Sequence, residues 1–341
     1  MTVEDQDMAI DRKCPSCGGT LFFDPGWDRL ICKSCGYKEV IPELVSKIPV
    51  PEQDFVTAQT HASHDWGIQM QVFQCAQCAG QFVNNRLLLS GSCPFCGSTK
   101  IVPTVNSNEP LLAPNGIIPF KVREIRAKNT LIRWLGERRA APDQLKQNAN
   151  LQEFTGIYIP MFTFDFDSAN RYQGKFGYVS TNKEGESCIG WYERSGAFNK
   201  FIDDFPVVAS NVIATDPLLV SVMKYWTREA CPYTPDALAG FPAEHYSVGL
   251  AEAWGRAMND VVHYLKQEAV NIESASREKI DVYSTFSNIK YKYILVPVWM
   301  SSFTYNNKLY KIVVNGQTGE IQGQWPVSFG GFMRDLFRGF N

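Results

Sequence analysis

The chain has 341 residues, of which 45% are hydrophobic and 13% aromatic, so it is long enough for two or three domains with a real core. Its formal net charge of −2 excludes a strongly basic field that would recruit nucleic acid by itself. The longest clean apolar run, residues 293–300, is too short to span a bilayer, and the first residues are acidic rather than signal-like. We therefore expect a soluble cytoplasmic protein.

Eight of the ten cysteines form two copies of one spacing pattern. In each copy, fourteen residues separate two Cys-x-x-Cys pairs, close to the spacing of about 15–20 residues that is typical of a four-cysteine zinc site. The cysteines are Cys14, Cys17, Cys32 and Cys35 in the first copy and Cys75, Cys78, Cys93 and Cys96 in the second. The pattern predicts two rubredoxin-like zinc ribbons, over residues 1–39 and 66–104, each with its four ligands taken sequentially.

The residue types at these turns favour zinc over other cysteine chemistry. Glycines follow three of the four turns, at Gly18, Gly36 and Gly97, where a positive φ curls the amides around sulfur. Four thiolates leave no open coordination position, so we expect two structural Zn²⁺ ions. A redox Cys-x-x-Cys motif needs a βαβ context, and disulfides need an oxidising compartment. The sequence indicates neither condition, so it favours neither alternative.

Residues 40–65 separate the ribbons and contain three prolines and little periodicity, which predicts a linker or a wrapping segment. His61 and His64 lie here with metal-compatible spacing, but both ribbons are satisfied by cysteine, so we interpret them as an incidental surface pair.

Residues 1–104 carry eight Lys/Arg against eleven Asp/Glu, a difference of −3, which disfavours phosphate binding. Phe82 and Phe95 would stack on bases if exposed, but aromatic residues more often pack the core of a ribbon.

Residues 105–327 are predicted to form one α+β domain with an internal helix-strand duplication. Apolar periodicity predicts helices over residues 122–139 and 247–272, each followed by an alternating strand, over residues 157–166 and 294–303. Setting Pro160 against Pro297 aligns the two strands, although shared strand chemistry without common ancestry gives the same pattern. Because proline removes a ladder donor, both strands are expected at a sheet edge or at a bend. A hairpin around Asn315-Gly316 closes the domain.

The last residues, 328–341, carry apolar side chains at helical spacing with arginines on another face. This pattern predicts an amphipathic tail that lies in a membrane interface, enters the groove of a partner, or caps the core of its own domain.

Catalytic motifs are missing from the sequence. It contains no phosphate-binding loop, no His-Glu-x-x-His and no nucleophile elbow. Asp165 and Asp167 share a strand face, as a hydrolase dyad or a weak cation site in a pocket would require, but we interpret them as a solvated strand end. Cys188 and Cys231 are interpreted as inert buried thiols. We therefore expect no enzymatic activity.

Short motifs outside the ribbons carry a family resemblance. Asp65-Trp66-Gly67, Tyr158-Ile159-Pro160, Leu295-Val296-Pro297 and Asn315-Gly316, together with the ribbons, resemble the bacterial TFIIB-type zinc-ribbon-containing proteins over nearly the whole chain. Members are often encoded beside phage-shock-type and SPFH-domain proteins, which implies protein partners in an envelope-stress assembly. Some members are named after a primosomal helicase, but this chain has no helicase motor. Many relatives continue into transmembrane segments where this chain has its Phe-rich tail, so the expected membrane contact is peripheral.

These observations predict a non-enzymatic, zinc-binding adaptor or scaffold that docks protein partners at the inner face of the membrane. The alternative is a nucleic-acid-binding zinc-ribbon protein with a role in replication or transcription.

Overall fold

The computed structural model describes residues 12–46, 48–61, 64–67, 70–85, 92–104, 112–138, 141–142, 154–181, 183, 185–214, 217–306 and 308–326. Within these residues the fold is α+β, with mostly sheet and few helices, which confirms the predicted class. The predicted amphipathic tail, residues 328–341, lies outside the described residues. No helix in the described part of the chain combines the length and apolarity needed to cross a membrane.

The first ribbon is a small antiparallel sheet of its own. It consists of β1 (Leu21–Asp24), β2 (Arg29–Cys32) and β3 (Lys38–Val40), in that order. Alternate side chains point inward, so Leu21, Phe23 and Leu30 are buried while their neighbours are partly exposed.

The segment between the ribbons wraps the main domain. It forms α1 (Pro42–Val45), β4 (Gln53–Asp54) and α2 (Phe55–His61). Leu44 and Phe55 are buried in the largest hydrophobic cluster of the protein. Of the two alternatives that the sequence left open, a linker or a wrapping segment, the structure therefore has the second.

The remaining elements build a 12-stranded sheet with helices on its faces. In chain order they are β5 (Met70–Cys75), β6 (Gln81–Asn85), β7 (Ile101–Pro103), β8 (Gly116–Ile117), α3 (Glu124–Glu137), β9 (Phe154–Thr181), β10 (Ser187–Val208), α4 (Asn211–Ala214), α5 (Pro217–Ser221), β11 (Cys231–Pro232), β12 (Ala243–Glu244), α6 (Leu250–Ile272), β13 (Arg277–Tyr305), β14 (Lys308–Asn315) and β15 (Ile321–Gly323). The two predicted helices are present as α3 and α6, and the predicted closing hairpin is β14 and β15.

The centre of this sheet is the antiparallel pair of β9 and β13, which runs from Phe154 opposite Ser301 to Gly177 opposite Arg277. The strand order is β11-β8-β13-β9-β12-β6-β5-β7, with β10 also beside β9, β4 beside β13, and β14 between β13 and β15. Because β12 pairs with β6, the second ribbon is part of the main sheet rather than a separate module.

The two strand prolines lie in the central pair of the sheet and not at its outer edge, which was one of the two expected positions. Pro160 lies where the outer neighbour of β9 changes from β12 to β10, and its carbonyl accepts a hydrogen bond from the Ala209 amide. Pro297 lies where the outer neighbour of β13 changes from β8 to β14, and its carbonyl accepts from the Gly316 amide. Each missing N–H therefore falls in a gap between two neighbouring strands, where no ladder partner is lost.

Both faces of β9 are covered over its first half. On one face Phe164 and Phe166 pack against Trp254 of α6, with ring centroids 5.3 and 5.0 Å apart. On the other face Ile157 and Ile159 share a buried cluster with the aromatic residues of the second ribbon. The aromatic alternation of the sequence therefore marks the face that α6 covers.

Candidate metal centres

The four Cys-x-x-Cys turns share one backbone geometry. In each turn the residue four positions after the first cysteine donates its amide N–H to the carbonyl of that cysteine. This residue also has a positive φ. The donors are Gly18 (2.8 Å, φ 71°), Gly36 (2.9 Å, φ 78°), Ala79 (2.9 Å, φ 58°) and Gly97 (2.8 Å, φ 71°). Three turns therefore use glycine where the left-handed conformation is required, and the fourth uses alanine.

Each ribbon brings its own four sulfur atoms together. Within each tetrad all Sγ atoms lie within 4.8 Å of one another, and both tetrads consist of the cysteines that the spacing predicted. The closest Sγ–Sγ contacts are 3.5 Å (Cys14 to Cys35, Cys17 to Cys32), 3.6 Å (Cys75 to Cys96) and 3.7 Å (Cys78 to Cys93). A tetrahedral ion bound at about 2.3 Å would separate its sulfurs by about 3.8 Å, so both donor sets are consistent with a metal ion.

The protein by itself stabilises only part of the charge of such a site. The amide of Cys35 points at the Cys32 sulfur and lowers the pKa of that thiol to about 6. In the second tetrad a hydrogen bond from the Cys93 thiol lowers the pKa of Cys78 to about 5, whereas burial raises the pKa of Cys96 to about 12. A bound cation would stabilise all four thiolates of a tetrad together.

The aromatic residues of the second ribbon form its core. Phe82 and Phe95 are 5% and 0% exposed, and their ring centroids lie 6.5 Å apart. The Phe95 ring also lies against Gly80, where an added Cβ would be only 2.5 Å from it. The packing interpretation of these rings is confirmed, and neither presents a free face for a base.

The first ribbon is anchored on the main domain through its backbone. The Phe23 amide donates to the Ala239 carbonyl at 2.9 Å, and the Gly26 amide donates to the Phe120 carbonyl at 2.7 Å. The Phe23 ring packs edge-on against Phe241. Both ribbons are thus fixed to the same α+β body.

The other candidate ligands and thiols of the sequence lie apart from the tetrads. His64 is exposed, and the side chain of His61 lies outside the described residues. In the described part of the chain, no further group of three or more His, Cys, Asp or Glu residues meets the distance needed to share an ion. Cys231 is buried as expected, whereas Cys188 is exposed, so the interpretation of Cys188 as a buried thiol was wrong.

Asp165 and Asp167 do not form a solvated strand end, because β9 continues to Thr181. Asp165 is 3% exposed, and its Oδ1 accepts a 2.6 Å hydrogen bond from the Asp204 amide. Burial raises the pKa of Asp165 to about 7. Asp167 is exposed and accepts a 2.7 Å hydrogen bond from Asn288. The two carboxylates therefore have different environments.

A lysine that the sequence did not single out lies beside the buried aspartate and pairs closely with Asp204. Lys292 Nζ lies 2.5 Å from Asp204, 3.9 Å from Asp165 and 4.0 Å from Glu52. Both neighbours of β9 bulge at this level, and the bulge of β10 is what turns Asp204 toward the lysine. Lys290 also pairs with Glu52, at 3.2 Å, so this arrangement is an ion-pair network whose cations are supplied by the protein itself.

Comparison with known proteins gives one extended similarity. The chain is 28% identical over 328 residues to the uncharacterized protein YdjG of Bacillus subtilis strain 168, which covers 95% of this chain and 92% of that protein. No family model matches the chain. No solved structure matches it either.

Proposed function

We propose that the protein is a zinc-binding adaptor whose two tetrads each hold one structural Zn²⁺. The observation that carries this proposal is the pair of four-sulfur donor sets, with closest contacts of 3.5–3.7 Å. Zn²⁺ has no geometric preference of its own and is held in structural sites by four such ligands. Four protein donors leave no position for water or substrate, so the sites stabilise the fold and perform no reaction.

Iron is the competing occupant of a tetrahedral four-thiolate site. Metal analysis of the full chain, purified without added metal, tests the choice. We expect two zinc ions per chain and no absorption in the visible range. Iron in stoichiometric amount, with the coloured charge-transfer bands of iron thiolates, would contradict the zinc assignment.

The proposed role is to dock protein partners. The resemblance to TFIIB-type zinc-ribbon proteins supports partners of the SPFH or phage-shock type, in an envelope-stress assembly on the cytoplasmic side of the membrane. Both ribbons are anchored on one body through β12 and residues 239–242, so the protein would present a rigid composite surface.

Affinity purification from the native host, followed by mass spectrometry, tests the adaptor role. The wild type is compared with a variant lacking residues 328–341, and both are tested for recovery with liposomes. We expect defined protein partners with the wild type and reduced liposome recovery with the truncated chain. If the wild type recovers no partner above background, the adaptor role is refuted.

One observation favours nucleic-acid binding as the second candidate. Trp27, at the tip of the first ribbon, is 53% exposed, and the guanidinium carbons of Arg29 and Arg123 lie 4.8 and 5.1 Å from its ring centroid. An exposed aromatic ring beside arginine is a stacking platform for single strands. A gel-shift titration at two salt concentrations tests this candidate, and the absence of binding at low salt would refute it.

The proposal includes an internal duplication of the α+β domain. The order β10-β9-β13-β14 supports it, because each central strand is preceded by a helix and followed by a strand that pairs with it. The hydrogen bonds to the carbonyls of Pro160 and Pro297 also correspond. A solved structure in which the two halves superpose over these elements would test this part.

A further inference from the structure

A cleft separates the first ribbon from the α+β domain. It has a volume of about 660 Å³, within the range of about 300–1,000 Å³ that is usual for binding sites. The hairpin of β1 and β2 forms one wall, the first turn of α3 forms another, and the start of β9 forms the floor. The cleft lies apart from the second tetrad and from the Lys292 network, whereas Lys33 in its wall belongs to the Cys32–Cys35 turn of the first tetrad.

The floor of the cleft is apolar and aromatic. The rings of Phe154 and Trp299 stack on each other with an interplanar angle of 12°, and both are almost fully buried. Phe22 lines the wall on the ribbon side. Ile125 lines the opposite wall, yet it is 65% exposed at the start of an amphipathic helix. An apolar side chain entering the cleft would cover Ile125 and meet this floor.

The floor also contains the outer side of β9 near Gly156. The Tyr158 amide donates outward, away from β13, to the Pro242 carbonyl. Because backbone groups alternate along a strand, the N–H and C=O of Gly156 point to the same side. Among the described residues no backbone hydrogen bond joins Gly156 on that side. Gly156 is itself buried, so these two groups lie beneath the surface of the floor, and a bound peptide would mainly contact the apolar side chains above them.

Two positive charges at the rim have no carboxylate partner in the described part of the chain. Lys33 lies over the Phe22 ring at 4.5 Å, and Arg123 lies over the Trp27 ring at 5.1 Å. The acidic residues of the cleft are already paired, since Asp24 contacts Arg29 at 2.9 Å and Glu124 contacts Lys128 at 3.6 Å. The charge that remains at the rim is therefore positive.

We propose that this cleft binds an extended segment of a protein partner that carries apolar side chains next to aspartate or glutamate. The inference rests on the proposed adaptor function and names the docking site and the chemistry of the partner. A peptide fits better than a nucleic acid, because the floor rings are stacked on each other and two cations are few for a phosphate backbone.

Fluorescence anisotropy with the full, metal-loaded chain tests the proposal. The probe is a labelled peptide of alternating sequence, Asp-Leu-Glu-Leu-Asp-Leu-Glu, and its control is Lys-Leu-Arg-Leu-Lys-Leu-Arg. We expect saturable binding of the acidic peptide only. The double variant K33E/R123E should bind it at least about tenfold more weakly, as should Ile125→Asp. All three positions are exposed, and because Lys33 lies between Cys32 and Cys35, zinc analysis must show that K33E/R123E keeps two ions before its affinity is compared.

Matched controls make the result decisive. Lys183→Glu reverses an exposed charge in the turn between β9 and β10, and Val56→Asp introduces a charge at a position that is 72% exposed. Both should leave peptide affinity within about twofold of the wild type. No saturable binding of the acidic peptide, equal binding of the basic one, or equal loss in controls and cleft variants would overturn the proposal. Displacement of the peptide by a single-stranded oligothymidylate whose binding depends on Lys33 and Arg123 would overturn it as well.

The same variants separate this inference from the adaptor function. If the wild type and K33E/R123E recover the same partners from the native host, docking occurs elsewhere, and the cleft inference fails while the adaptor role stands. If the wild type recovers no partner, the adaptor role fails, and the peptide titration alone decides whether the cleft binds this chemistry.

Discussion

Replacing Cys78 by serine removes one thiolate from the second tetrad, in a ribbon whose strand β6 pairs directly with β12 of the main sheet. Three phenylalanines of that ribbon, Phe73, Phe82 and Phe95, are at most 5% exposed and share a cluster with central residues such as Ile157. If the ribbon opens, these rings lose their burial. The metal site and the main domain should therefore unfold together.

The size of the effect follows from the buried rings. Each buried phenylalanine contributes about 1.5–3 kcal/mol, so three contribute roughly 5–9 kcal/mol. A whole domain is stable by only about 5–15 kcal/mol. With a shift of about 2–4 °C per kcal/mol, the Cys78→Ser variant should unfold at least about 10 °C below the wild type.

The assay combines zinc content with thermal unfolding followed by circular dichroism in the β-sheet region. The control is Cys188→Ser, which changes an exposed cysteine that belongs to neither tetrad. It should keep two zinc ions and the wild-type midpoint. A Cys78→Ser protein that holds one zinc ion but unfolds within about 2 °C of the wild type would refute the coupling.

Three further predictions concern single residues. Burial raises the pKa of Glu244 to about 8, so the folded chain keeps a proton that the unfolded chain releases near pH 4.5, and stability falls as pH rises between these values. Glu244→Gln should therefore be roughly 3–5 kcal/mol more stable than the wild type at pH 8.5 and similar to it near pH 4, as measured by urea midpoints. Asn315→Ala should lose about 2–4 kcal/mol in the same assay, because the buried Asn315 side chain bonds the Val222 and Lys224 carbonyls and two turn amides. Ala79→Gly should gain about 1 kcal/mol and release zinc more slowly to a chelator, because Ala79 has φ 58° where the other three turns use glycine.

The sequence predicts the parts of the structure that depend on residues close together in the chain. The cysteine spacing identifies both tetrads, since two residues between cysteines fix a turn regardless of the surrounding fold. The helices α3 and α6 follow from their 3.6-residue apolar period, which appears in the buried set Ala253, Ala257 and Val261 of α6. Asn-Gly at residues 315–316 predicts the closing hairpin.

The parts that it does not predict depend on pairing between distant segments. The middle of β9, from Ser168 to Gln173, carries mostly polar side chains, and it is a strand because β10 and β13 flank it. The two-residue strand β12, which joins the second ribbon to the sheet, carries no periodic signal at all. Lys292 and Asp204 are 88 residues apart in the numbering, and only the register of the sheet and the bulge of β10 bring them together.

Native mass spectrometry of the full chain, with parallel zinc analysis, tests the central claim most directly. Two independent structural centres predict two zinc ions in the wild type, one in Cys17→Ser, one in Cys78→Ser and none in the double variant. A folded wild-type chain with fewer than two zinc ions, or a variant of either tetrad that keeps both, would contradict the claim.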